Sequence, residues 1–112
     1  MALKHLFSTG GLATGALTEV YKVPASGQVA ISTIVACNYG TASGRASICA
    51  ATASGVAATN VAQRLYWDIE IPPLDSLTLT VGLTMGASGV IRVKSEVSTA
   101  LSFNGFGDEF TT

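Results

Sequence analysis

The sequence predicts an all-β protein, a single domain in which seven to eight antiparallel strands form a jelly-roll-like β-sandwich. Apolar residues recur at every second position through most of the chain, which is the period of a strand with one buried face. Turns rich in Gly and Pro interrupt these runs at short intervals. No stretch keeps the helical period of about 3.6 residues over three turns. The length of 112 residues suits one domain.

The first half of the chain contains four predicted strands, at about residues 6–8, 17–23, 28–38 and 45–53. The run at 28–38 is apolar on both sides, which predicts a central strand. A Pro/Gly turn at Val23–Gly27 precedes this strand, and a loop at Asn38–Gly44 follows it. Residues 1–12 form either a strand of their own or an arm that reaches a neighbouring molecule.

The second half contains the other strands, at about residues 61–71, 76–83, 90–97 and 100–110. Strict alternation divides the first of these into two faces. The inner set is Val61, Leu65, Trp67, Ile69 and Ile71, and the outer set is Arg64, Tyr66, Asp68 and Glu70. We therefore expect Trp67 in the core, where its replacement by Ala would cost about 3–5 kcal/mol.

Two further segments have a local signature. The Ala-rich stretch before residue 61 is interrupted by Gly, Ser and Thr, so we expect a flexible loop around Ser54–Asn60. Two aromatic residues three positions apart around a glycine, Phe103 and Phe106, predict a β-bulge at Phe103–Gly107.

Composition limits the classes of partner. Charged residues make up 12% of the chain and the formal net charge is −1, which lacks the basic footprint of a nucleic-acid-binding protein. No apolar run approaches the roughly 18 residues of a membrane span, so no membrane partner is predicted. Ala, Gly, Ser and Thr fill nearly half of the chain. A surface with few charges suits contact with copies of the same chain or a larger lattice, and the alternative is a stable monomer.

The residues that carry chemistry are few and scattered. The single histidine, His5, lies near a terminus, without a nucleophile and an orienting acid in a recognisable arrangement. Cys37 and Cys49 fit no metal-ligand spacing. Symmetric pairing around the intervening turn places Cys37 opposite residue 45, so no disulfide is predicted and both cysteines should be small buried residues. The sequence predicts no enzymatic activity, no metal and no cofactor.

The outer set of the strand at 61–71 is the candidate interface. Two acids on one strand face are also what glycoside hydrolysis uses, but their alternation with Arg64 and Tyr66 indicates a solvated or interface-facing stripe. Tyr39 and Tyr66 are expected to be exposed aromatics, which are common interface anchors. The predicted interface residues are Arg64, Tyr66, Asp68, Glu70 and Tyr39.

Several segments resemble structural proteins of tailed bacteriophages. The stretch Val20–Gly27, followed by a hydrophobic strand ending in Cys37-Asn38, is similar to their "VYTVPAG" and "CN" segments. Leu77–Leu83 and Gly89–Ser95 are similar to a later Thr/Leu-rich stretch of the same proteins, and the closing aromatic/Gly strand also recurs. The resemblance covers about residues 12–110. One departure is Ala87-Ser88-Gly89, where the family often has Gly-Asp.

The resemblance implies a small β-sandwich of the virion, made in the host cytoplasm. The preferred interpretation is a head decoration (cement) protein that binds a major capsid protein and associates with itself, commonly as a homotrimer. A neck, tail or baseplate adaptor, or the base of a fibre, is the alternative within the same particle. An alternative of another class is a carbohydrate-binding host-recognition module, with Tyr66, Asp68 and Glu70 on its binding face.

Overall fold

The alternating apolar and polar runs form eight strands in the computed structural model, which describes residues 4–12, 14–53, 61–97 and 100–111. In chain order the strands are β1 (Lys4–Gly10), β2 (Thr18–Lys22), β3 (Gly27–Asn38), β4 (Gly44–Ala51), β5 (Arg64–Ile71), β6 (Ser76–Met85), β7 (Val90–Glu96) and β8 (Leu101–Thr111). A 3₁₀ turn, Val61–Gln63, precedes β5. Within these described ranges, no helix is long and apolar enough to cross a membrane.

The strands form two antiparallel sheets that pack face to face. Sheet I has the order β1-β8-β3-β6, and sheet II has the order β2-β7-β4-β5. This order is the topology of a jelly roll, in which most consecutive strands belong to opposite sheets. The predicted fold class is therefore confirmed. As predicted, β3 is a central strand, paired with β8 on one side and β6 on the other.

The core lies between the two sheets and consists of aliphatic and aromatic side chains from both. Its buried members are Phe7, Val23, Val29, Ile31, Ile34, Ala36, Ala46, Ile48, Ile71, Leu79, Ile91, Val93, Leu101 and Phe103. Val23 lies in the predicted turn before β3, where the N–H of Gly27 donates to the carbonyl of Pro24 at 3.0 Å. Burial of these side chains is the main favourable contribution to folding.

The described part of the N-terminal segment is mostly a strand and not an arm. Lys4–Gly10 form β1, which pairs with β8 along its length and contributes Phe7 to the core. The sequence of residues 1–12 does not alternate strictly between apolar and polar residues. The register shift between His5 and Phe7 in β1 accounts for this, because a bulge changes the face on which the following residues lie. The predicted loop at Ser54–Asn60 lies outside the described residues.

Bulges do occur at the level of Phe103–Gly107, but the extra residues belong to the neighbouring strands and not, as predicted, to β8. β8 runs continuously there, and its two neighbours shift register opposite it, at Leu6 in β1 and Ser32 in β3. The glycines of β8 permit a close approach instead. A Cβ on Gly107 would collide with the backbone of Ala30, and this is why the position requires glycine.

Strict alternation is wrong in β5. Ala46 pairs with Ile69, whereas Ile48 pairs with Tyr66, so β5 contains one residue more than β4 over this interval. Asp68 takes up the extra length with a φ of 51°, and its N–H donates to Ser47 Oγ at 2.9 Å. A bulge of this kind reverses the faces of the residues on its other side.

Because of the bulge, several side chains of β5 lie on the face opposite to the one that strict alternation predicts. Tyr66 points inward and packs against the core, where an exposed aromatic was expected. Trp67 is half-buried on the outer side of sheet II, where a core residue was expected. Val61 and Leu65 are also exposed and not inside, since Val61 lies in the 3₁₀ turn and Leu65 lies at a second register shift.

Candidate interaction surfaces

The outer side of sheet II carries most of the charge of the protein. Ile91 and Val93 point into the core, so Arg92 and Lys94, which alternate with them, point outward. The residues that pair with Arg92 and Lys94 on the neighbouring strands extend this face across sheet II. We call it the charged face. Its charged residues are Glu19, Lys22, Arg45, Arg64, Asp68, Glu70, Arg92, Lys94 and Glu96. Lys4 is the only Lys or Arg of the chain outside it.

Charges of opposite sign alternate across the strands of this face. Arg45 of β4 lies between Glu70 of β5 and Glu96 of β7. Lys94 Nζ lies 3.7 Å from Glu96 Oε1 and 4.0 Å from Asp68 Oδ1. Directly opposed unlike charges stabilise an antiparallel pair by roughly 0.2–1 kcal/mol. The face is therefore charged but close to neutral as a whole.

Trp67, on the edge strand β5, is the aromatic residue of the charged face that two cations contact. Arg64 Cζ lies 3.6 Å from the centroid of its ring, and Lys94 Nζ lies 4.1 Å from it. Such cation–π contacts contribute about 0.5–1 kcal/mol each at exposed sites. Because two cations lie over the ring, a sugar ring that stacked where they lie would have to displace them.

One end of the charged face is covered by the 3₁₀ turn. Gln63 is buried there, and its Oε1 accepts a hydrogen bond from Arg92 Nη1 at 3.2 Å. Cys49 is also buried, and burial raises the pKa of its thiol, although Arg64 and other nearby cations act in the opposite direction. Cys37 is a half-buried free thiol on the other sheet, so the two cysteines do not meet.

The outer side of sheet I has the opposite character, and we call it the uncharged face. Its exposed and half-buried residues are His5, Ser8, Gln28, Ala30, Thr33, Val35, Cys37, Ser76, Thr78, Thr80, Thr84, Ser102, Asn104, Phe106 and Phe110. His5 stacks on Phe106 with ring centroids 5.0 Å apart, and its Nε2 lies 3.0 Å from Asn104 Oδ1. The carboxylate of this face, Asp108, is buried, and its Oδ2 has no hydrogen-bond partner among the described residues.

A polar contact connects the two sheets along one side of the sandwich. The hydroxyl of Tyr21 in β2 donates to the carboxylate of Glu109 in β8, and Lys4 Nζ of β1 lies 3.3 Å from Glu109 Oε1. The hydrogen bond from Tyr21 lowers the pKa of Glu109. Burial, followed by the same hydrogen bond, raises the pKa of Tyr21. Each shift favours the pair of a neutral phenol and an ionised carboxylate.

The structure brings together three of the five predicted interface residues. Arg64, Asp68 and Glu70 lie on the charged face as expected, whereas Tyr66 points into the core. Tyr39 is 55% exposed but lies in the β3–β4 loop at one end of the sandwich.

Sequence reasoning missed the other members of the charged face. Arg45, Lys94 and Glu96 are separated from β5 along the chain, and the strand order β7-β4-β5 brings them beside it. Alternation within β7 does give the outward direction of its charged residues. Nothing in the pattern of a single strand indicates which strands become its neighbours.

The chemically reactive side chains that the structure describes lie apart from one another. No group of three or more His, Cys, Asp or Glu side chains among them could hold a metal ion. The buried hydroxyl of Ser95 lies in sheet II, whereas the imidazole of His5 lies on the outer side of sheet I. The histidine is therefore not in a position to act as a base for this hydroxyl. A cavity of about 360 Å³ opens between the ends of β4 and β6, with Met85, Leu83 and small uncharged residues in its described lining.

No family model, curated protein or solved structure matches the chain.

Proposed function

We propose that the protein is a virion structural protein, a capsid decoration protein that binds an assembled head lattice and stabilises it. The observation that carries the proposal is the contrast between the two outer faces of the sandwich. One face holds nine charged residues, and residues of opposite sign lie beside each other on its neighbouring strands. The other face exposes no charged residue among those that the structure describes. The resemblance to structural proteins of tailed phages supplies the kind of particle.

The uncharged face is suited to contact with the capsid. The centres of protein interfaces are depleted of charge, because every charge that is buried there must be desolvated or paired. Thr and Ser side chains on a sheet lose little conformational entropy when they are covered. The charged face would remain in solvent, where it opposes aggregation of the decorated particle. Many weak contacts repeated over a lattice reach a large total stabilisation.

The other interpretations receive less support from the geometry. A neck, tail or baseplate protein would use the same faces, so only the copy number and position in the particle separate it from a head protein. A carbohydrate-binding module needs open aromatic rings, but Tyr66 is turned inward and cations lie over Trp67. A glycan array that gave a reproducible hit with the purified protein would favour the carbohydrate-binding alternative.

The first experiment locates the protein in particles. An antibody against the purified chain should label the heads of the virus that encodes it, as seen by electron microscopy. Quantitative mass spectrometry should find a copy number comparable to that of the major capsid protein. A few copies per particle with label at the neck or tail would support the adaptor alternative, and absence from all particles would refute the proposal.

The second experiment identifies the contact face with two matched variants. Val35→Glu on the uncharged face and Arg64→Gln on the charged face each lower the net charge by one. Both side chains point outward, so circular dichroism should show the wild-type fold in each case. We expect Val35→Glu to abolish binding to undecorated heads and Arg64→Gln to retain it. The reverse result would place the contact on the charged face.

A further inference from the structure

Among the described strands, one sheet edge, β6, carries no charged residue. Sheet I ends at β6 and β1, and sheet II ends at β5 and β2. Proteins protect such edges with charged residues, bulges or short strands, because unpaired backbone groups otherwise invite pairing with another chain. β1, β2 and β5 each carry charged residues and a register shift. β6 carries no charged residue, and its register shift, with a positive φ at Gly82, lies in its second half, so that Ser76–Thr80 pairs with β3 in unbroken register.

The hydrogen-bonding direction of this segment follows from the ladder with β3. The N–H of Asn38 donates to the carbonyl of Asp75 at 2.8 Å, so the pairs that bond across β3 and β6 continue at Leu77 and Leu79. The backbone groups of Thr78 and Thr80 therefore point away from β3. Ser76 agrees with this direction, because its N–H donates to the Asp75 side chain instead. No strand of the described part of the chain pairs with β6 on that side.

We propose that β6 pairs with β6 of a second copy in antiparallel orientation, so that sheet I continues across two molecules. The chemistry of the edge selects a second copy as the partner. In a twofold contact the same strand contributes from both molecules. A charged residue near the centre of that strand therefore faces a like charge from the partner. β6 is the only edge strand of the described structure without that penalty.

The register of the pairing follows from the same geometry. Leu79 lies opposite Leu79 of the partner, and Thr78 lies opposite Thr80 of the partner. This register gives two hydrogen-bonded residue pairs, each of which exchanges two backbone hydrogen bonds. Thr–Thr pairs are favourable across antiparallel strands. On the inner side, Leu77 is only half-buried in the single copy, so that a neighbouring strand can cover it.

This inference goes beyond the proposed function, because it concerns the contact between two copies and does not depend on what they decorate. A twofold β6 contact produces dimers in place of the trimer that the resemblance implies. The contact is small, so association in solution should be weak and visible near millimolar concentration. Sedimentation equilibrium of the purified chain tests it without any viral particle, and so its failure is distinct from failure of the decoration role.

The decisive variants add charges of one sign or the other to the β6 edge. We expect Thr78→Lys/Thr80→Lys and Thr78→Glu/Thr80→Glu each to weaken self-association about tenfold or more, since each added charge faces a like charge. A 1:1 mixture of the two should restore association as a heterodimer. Ser8→Lys is the control, because it adds an exposed charge to the opposite edge of the same sheet and should leave the dimer unchanged.

Hydrogen exchange provides a residue-specific measurement. The amides of Thr78 and Thr80 should exchange quickly in dilute protein and become protected as the concentration rises, while the amide of Ser8 should not change. A wild-type chain that remains monomeric at about 1 mM would overturn the inference. So would a dimer that survives both charge variants, or a lysine–glutamate mixture that does not associate.

Discussion

The two outer faces of the sandwich are made of the same kind of strand but are stabilised in different ways. On the charged face, side chains interact above the sheet: cations lie over Trp67, and Lys94 lies near Asp68 and Glu96. In sheet I, beneath the uncharged face, the absence of a side chain allows close backbone approach, as at Gly107 against Ala30. The first kind of contact tolerates substitution and responds to salt, whereas the second depends on shape alone.

The difference also separates stability from binding. Arg64, Arg92 and Lys94 of the charged face already have partners within the molecule, so a new partner there would have to replace contacts that exist. The uncharged face and the β6 edge have hydroxyl and backbone groups that are exposed in the single copy. These groups are available to a neighbour at little cost, which is why the proposed contacts lie on sheet I.

The largest effect is expected where the strands of sheet I pack most closely backbone to backbone. Gly107→Ala places a Cβ against the carbonyl oxygen of Ala30 and the Cα of Ile31, and backbone atoms cannot move aside as a side chain can. We expect a loss on the order of 3 kcal/mol or more in the free energy of unfolding, measured by urea denaturation. Gly86→Ala is the control, since a Cβ there meets nothing within 4 Å. Equal stability of both variants would show that β8 and β3 are not packed this closely.

The second prediction compares neighbouring aromatic residues of β5 that point in opposite directions. Tyr66→Ala removes a ring packed against the core and should cost about 2–3 kcal/mol. Trp67→Ala removes a half-buried ring on the charged face and should cost only about 1–2 kcal/mol, less than a core tryptophan. Urea denaturation of the two variants measures both values. The opposite ranking would restore strict alternation in β5 and contradict the bulge at Asp68.

The sequence was sufficient for the fold because alternation and turn residues act locally. The Val23–Gly27 turn and the period-two runs predicted every strand to within a few residues. Alternation failed where a bulge intervened, since a bulge depends on pairing between strands: the φ of Asp68 is accommodated by Ser47 of β4. The charged face required the strand order as well, and distant segments such as β5 and β7 carry no local record of it.

The third prediction concerns the contact that joins the two sheets. Tyr21→Phe removes the hydroxyl that donates to Glu109 and should cost about 1 kcal/mol at neutral pH. Because this hydrogen bond lowers the pKa of Glu109 below its ordinary value of 4.5, the stabilisation is present above pH 4.5 and is lost as the pH falls through the lowered pKa. The stability difference between wild type and variant should therefore shrink on acidification, as measured by denaturation at several pH values.

The other ionisable groups are the same in both proteins, so the difference isolates Glu109. Tyr39→Phe is the matched control, because Tyr39 is exposed in a loop and its hydroxyl donates no hydrogen bond recorded among the described residues. A difference for Tyr21→Phe that is constant down to pH 2 would mean that the hydroxyl does not interact with the ionised form of Glu109.

The smallest effect should distinguish the two faces most directly. Lys94→Gln removes a cation that lies over Trp67 and near two acids, and we expect a loss of about 0.5 kcal/mol at low salt. Screening shortens the range of these interactions to about 3 Å at 1 M salt, so the difference from wild type should nearly vanish there. Thr80→Gln on the uncharged face changes no charge, and its effect on stability should be the same at both salt concentrations. If Lys94→Gln were equally insensitive to salt, packing against Trp67 would outweigh charge at this position, and the contrast between the faces would be one of shape alone.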